Sequence, residues 1–204
     1  MIQHLRSWIV VLIALCSSPG SAADAPAFLA KGEVLRGAFD QERHLAGFAA
    51  PLRSSGHFVL SPDRGLIWQV ETPFPIVTVI TPIGLIQRAG GAVIMNMAAS
   101  RMPMAGPLRT MLTGMLSGEW TKLGDQFAVT RSGTDAGWRV ELKPRAGARD
   151  MMIDSMTVVG ARFAEQVKIL RPGGDSESLT FRDQKISAGP LSQDELALLN
   201  SAGK

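Results

Sequence analysis

The 204-residue chain holds a single cysteine, Cys16, and three histidines. Cys16 falls inside an N-terminal leader, so the exported chain is expected to contain no cysteine and to form no disulfide. The fold must then be held by its apolar core alone. With only His44 and His57 outside the leader, a zinc or copper site built from His and Cys is not expected, nor is any other metal or cofactor. No G-x-S-x-G elbow and no glycine-rich phosphate loop occurs, and the acidic residues mostly alternate onto what read as wet strand faces; the chain is not expected to be an enzyme. A strong charge of one sign is also missing. Without Arg6, 20 Lys+Arg stand against 18 Asp+Glu, and the basic residues are scattered rather than gathered in a patch. That argues against nucleic acid as a partner.

Long apolar runs are missing too. The longest, Trp8–Leu15, is far shorter than the ~20 residues a membrane-spanning helix needs. It follows Arg6 and precedes the helix breakers Pro19 and Gly20 and the small residues Ser21-Ala22-Ala23, the order of a cleaved export signal. Bulky Leu15 before Cys16 speaks against a lipidated leader. Residues 1–23 are therefore expected to be removed, leaving Asp24 as the first residue of a soluble periplasmic protein. Residues 24–204 suffice for one domain with a sizeable core.

What is present is two-residue alternation. Leu35, Gly37, Phe39 and Gln41 alternate with charged and small residues, as do Ser54, Gly56, Phe58 and Leu60. The same holds for Leu66, Trp68 and Val70; for Trp138, Val140 and Leu142; for Phe163, Val167 and Ile169; and for Leu179 and Phe181. Each pattern predicts a strand with one apolar and one wet face. The breaks between them are short and turn-like: Ser61–Gly65, Thr81–Gly84, Gly90-Gly91, Gly133–Asp135 and Pro172–Asp175. Such spacing predicts antiparallel meanders, not parallel crossovers.

Two segments have helical spacing. Pro107–Ser117 sets Leu108, Met111, Leu112 and Met115 on one face, and Ser192-Gln193-Asp194-Glu195 is a capping box before Leu196, Leu198 and Leu199. Met95, Met97, Met102, Met104, Met111 and Met115 flank or line the first helix. Methionine adapts to varied shapes, so these residues fit either an ordinary core or a soft wall. Their place around the one helix inserted in a β chain suggests a lid over an apolar cavity. The cavity is expected to be lined by Leu35, Phe39, Phe58, Leu60, Trp68 and Val70, with Leu108, Met111, Leu112 and Met115 as the lid.

The stretch Leu35–Gln87 resembles the outer-membrane lipoprotein carrier family (LolA). The resemblance rests on Gly37-x-Phe39-x-Gln41, Gly56-x-Phe58-x-Leu60-x-Pro62, Trp68, and the Pro73/Pro75 pair leading to an apolar strand and Gly84. Less specific matches follow at the Pro107–Leu116 helix, Leu123, Phe127, Trp138–Pro144 and Phe181. The resemblance implies a half-open, curved antiparallel β-barrel-like sheet with helices plugging its concave face. It further implies a carrier that shields lipoprotein acyl chains between an inner-membrane donor complex and an outer-membrane acceptor; the protein is expected to be a monomer. Two departures stand out. Ser61 occupies the position where the best-known carriers place a lid-binding arginine, with Arg64 three residues on, and the N-terminal helix at Ala25–Lys31 is short. A carrier of a non-protein lipid, such as a glycolipid or long acyl product, and a lipid-sensing or protein-binding regulatory domain therefore stay open beside the lipoprotein carrier.

Overall fold

The alternating segments pair in the order they are written. The computed structural model describes residues 29–101, 105–117, 120–146 and 152–202, and the expected export signal lies outside these. Strands β1 (Val34–His44), β2 (Leu52–Ser61), β3 (Gly65–Thr72), β4 (Ile76–Ile80), β5 (Gly84–Ala89) and β6 (Ala92–Ala98) form a continuous meander. Helix α1 (Ala105–Ser117) then leads to a second meander of β7 (Phe127–Thr134), β8 (Gly137–Pro144), β9 (Ser155–Gly160), β10 (Ala164–Leu170) and β11 (Ser176–Ser187). Helix α2 (Gln193–Leu199) follows. One eleven-stranded antiparallel sheet results, ordered β6-β5-β4-β3-β2-β1-β11-β10-β9-β8-β7. The sheet curves without closing: β6 and β7 are its two edges, and the chain passes between them through α1. The five turns expected from Gly, Pro and Asp clusters all connect neighbouring strands.

The G-x-F spacing has a steric cause. Gly37 lies directly opposite Phe58, and Phe39 directly opposite Gly56. A Cβ at Gly37 would stand 2.8 Å from the Phe58 ring, and one at Gly56 would stand 1.8 Å from the Gln69 carbonyl oxygen. Glycine on each strand thus makes room where the neighbours press in. Phe39 stacks on Trp68 with ring centroids 3.8 Å apart, and Phe181 meets Phe58 edge-on at 5.5 Å. These four aromatics form the floor of the main core. That core runs around the inner face of the sheet and takes in Leu35, Leu60, Val140, Leu142, Val158 and Val167. Met111 and Leu116 of α1 pack into it, so α1 plugs the concave face as expected.

Three expectations need correcting, the first of them the wet face expected at Ile67. The outward side chains Val34, Ile67, Val79 and Ile86 are buried in a second core with Leu191, Leu199 and Ala202. Helix α2 therefore covers the convex face and is not a concave plug, and β1 and β3–β5 are apolar on both sides where it lies. Second, a register shift between Ala164 and Gln166 turns Ala164 inward in place of an even alternation from Phe163. Third, Leu29–Lys31, the described end of the expected N-terminal helix, is not helical; Ala25–Phe28 lie outside the described residues.

The capping box forms as expected: the Ser192 hydroxyl accepts from the Glu195 amide, and the Glu195 carboxylate accepts from the Ser192 amide. The same carboxylate takes a fork of two bonds from Arg36 on β1, Nε to Oε1 at 2.8 Å and Nη2 to Oε2 at 2.7 Å. These contacts tie α2 to the sheet. The Arg36 hydrogen bond, opposed by burial, holds the Glu195 carboxyl below its ordinary value. A depressed carboxyl pKa contributes stability at neutral pH that is lost as pH falls through the folded-state value. Glu195→Gln is expected to lose about 1–2 kcal/mol at pH 7, reduced from the value for a fully buried charged hydrogen bond because Arg36 is partly exposed. The deficit relative to wild type should shrink below about pH 4.3, the unperturbed carboxyl range. Urea titrations of both proteins at pH 7 and pH 3 check this; equal deficits at the two pH values would exclude the ionic contribution.

Candidate functional site

An open cavity of about 220 Å³ lies between the inner face of the sheet and α1. Its apolar wall is made by Leu66 and Trp68 of β3, Ile80 of β4, Met156 of β9, Ile169 of β10 and Leu179 of β11. Met111 and Leu112 of α1 form its cover. Strand alternation is what places these side chains together: Leu66 pairs with Ile80, and Ile169 with Met156, so each pair projects to one face. The volume is below the roughly 300–1,000 Å³ of sites that enclose a drug-sized ligand. A long alkyl chain therefore needs Met111 and Leu112 to move aside.

One end of the cavity is polar. Thr78, Gln41, Glu177 and Arg171 line it. Gln41 Nε2 donates to Glu177 Oε1 at 2.7 Å, and Arg171 Nη2 donates to Glu177 Oε2 at 3.1 Å. The Ser54 hydroxyl donates to Gln41 Oε1 at 2.9 Å. This end adjoins the β1–β2, β3–β4 and β10–β11 connections, where Phe48 and Phe74 stand exposed on the surface.

Of the six side chains expected to line a cavity, Trp68 does so. Leu35, Phe39, Phe58 and Leu60 lie beneath, fully buried, and Val70 is half-buried against the same core. Met111 and Leu112 of the expected lid face the cavity, whereas the side chains of Leu108 and Met115 lie outside the described residues. The methionine group divides. Met95 is exposed on the edge strand β6, Met97 is half-buried there, and Met102 and Met104 lie outside the described residues. Met156, Ile169 and Leu179 were not among the expected lining residues. Alternation marks Ile169 and Leu179 as apolar-face positions, but only the pairing of β9, β10 and β11 brings them opposite β3. Ser61 is buried, and Arg64 is exposed at the β2–β3 turn beside Leu199 and Leu196 of α2, not beside α1.

Among the described residues no helix is long and apolar enough to cross a membrane. A family model described as outer membrane lipoprotein carrier protein LolA-like matches residues 20–171. No curated protein matches the chain. Among solved structures, the complex of MucA and MucB from Pseudomonas aeruginosa aligns with a TM-score of 0.44 at 13% identity, covering 80% of this chain and 55% of that one. This chain thus spans about half the length of that protein. The LolA superfamily protein NE2245 from Nitrosomonas europaea aligns with a TM-score of 0.41 at 8% identity, covering 82% of this chain and 91% of that one. A putative outer membrane lipoprotein-sorting protein domain from Vibrio parahaemolyticus aligns with a TM-score of 0.39 at 8% identity, covering 84% and 93%.

Proposed function

Because this chain belongs to the outer membrane lipoprotein carrier protein LolA-like family, we propose that it is a periplasmic carrier that shields the acyl chains of lipoproteins during transfer from the inner to the outer membrane. The observation that carries this reading is the cavity itself: an apolar wall on the inner face of an open sheet, covered by two side chains of one helix. Each alkyl CH₂ moved from water into such a wall gains ~0.8 kcal/mol, so an acyl chain in an aqueous compartment is strongly drawn to it. Met111 and Leu112 occupy part of that space when no cargo is bound. Cargo displaces them, and its net affinity is the difference between two burials. Binding is thereby kept weak enough for release to an acceptor.

The carrier performs no reaction in this reading. Glu177, the one carboxylate lining the cavity among the described residues, has both oxygens engaged by Gln41 and Arg171, which suits an anchoring role better than proton transfer.

The test is the cargo. The protein is exported in its native host, purified from the periplasm without detergent and extracted with organic solvent for mass spectrometry. Acylated lipoprotein fragments are the expected result, with Asp24 as the N-terminal residue. Recovery of only a glycolipid or other non-protein lipid would keep the carrier and overturn the lipoprotein; recovery of a stable protein complex without lipid would replace the carrier by a regulatory domain.

A further inference from the structure

The polar end of the cavity has more hydrogen-bonding capacity than the fold uses. Glu177 is 13% exposed and its two oxygens are taken, and Gln41 Oε1 is taken by Ser54. Arg171 lines the cavity with its side chain 29% exposed; its Nη2 donates to Glu177, its Nε is buried without a partner among the described residues, and the rest of its five N–H donors stay available to a ligand. The group left over is therefore a donor. A buried N–H without an acceptor costs free energy, and an ion pair in such a place stabilises a fold little better than apolar residues of the same size. The ion pair makes sense where the exposed part of the guanidinium meets an oxygen brought by a ligand.

The charge of the cluster selects among oxygens. Arg171 and Glu177 cancel one another at 3.1 Å. A carboxylate entering beside them would place a second negative charge near Glu177 and would have to shed its own water. A neutral carbonyl accepts the same hydrogen bond without the repulsion and at a much smaller desolvation cost. Resting on the carrier reading, we infer that Ser54, Gln41, Glu177 and Arg171 form the subsite for the neutral carbonyl of an acyl ester or amide, with the alkyl tail directed toward Trp68 and Met111. The protein thus distinguishes linked acyl chains from free fatty acids, and it holds the linkage at the end of the cavity nearest the Phe48 and Phe74 loops.

Three probes of equal chain length isolate the carbonyl: monopalmitoylglycerol, the corresponding hexadecyl glycerol ether, and palmitate at pH 8. Each is titrated against a bound hydrophobic dye on the full exported chain. The ester should bind about three- to tenfold more tightly than the ether, the net worth of one partly exposed hydrogen bond, and more tightly than palmitate. Glu177→Gln, which leaves Arg171 as an uncompensated cation, should move the preference toward palmitate by about tenfold, as expected for one partly buried charge. In the double variant Arg171→Met with Glu177→Gln, the ester-to-ether ratio should fall to about one. Equal affinities for ester and ether in the wild type, or a ratio unchanged in the double variant, would overturn the subsite while leaving the carrier intact. Failure of all three probes to displace the dye would overturn the carrier reading and the subsite with it.

Discussion

A disulfide engineered between α1 and β3 is expected to abolish acyl loading while leaving the fold intact. Helix α1 packs on the inner face with Met111 buried in the main core and Leu112 half-buried over the cavity. At about 220 Å³ the space beneath is too small for a long chain, so loading requires the helix to shift. Locked and reduced forms of one variant are compared for uptake of a spin-labelled fatty acyl ester, with Trp fluorescence and thermal unfolding as measures of the fold. Loading should return on reduction. The complementary change is Met111→Ala, which removes part of the cover. Its cost in stability should lie near the lower end of the ~2–5 kcal/mol range for buried Met to Ala, because the side chain already borders empty space, and cargo affinity should rise. A locked protein that loads at the normal rate would make α1 static core and remove the lid.

Phe39→Ala is expected to be the most damaging single truncation. Phe39 is 0% exposed, stacks on Trp68 and lies opposite Gly56, so β2 offers no side chain directly across to fill the gap. A loss of about 3–5 kcal/mol follows for a buried Phe to Ala change. Against the ~5–15 kcal/mol stability of ordinary domains this removes a large share of the total. Phe48→Ala is the control: Phe48 is 70% exposed, and its truncation should stay within ~0.5 kcal/mol. Urea midpoints for the two variants test the contrast. A loss at Phe39 no larger than at Phe48 would mean that the aromatic floor is not the centre of the core.

The chain's local grammar was legible without coordinates. Strands β1, β2, β3, β8, β10 and β11 follow from alternation, their turns from Gly, Pro and Asp, and the two helices from spacing and from the Ser192–Glu195 cap, because each depends on residues a few positions apart. Only the tertiary structure decided what covers each face and which distant strands meet. Ile67 alternates with Leu66 and Trp68 and reads as outward, and α2, more than a hundred residues later, is what buries it. Gln41 and Glu177 are 136 residues apart, and only the pairing of β1 with β11 brings them together. Alternation separates two faces of a strand but carries no information about its partner, so the polar end of the cavity, which rests on that long-range register, exists only in the folded sheet.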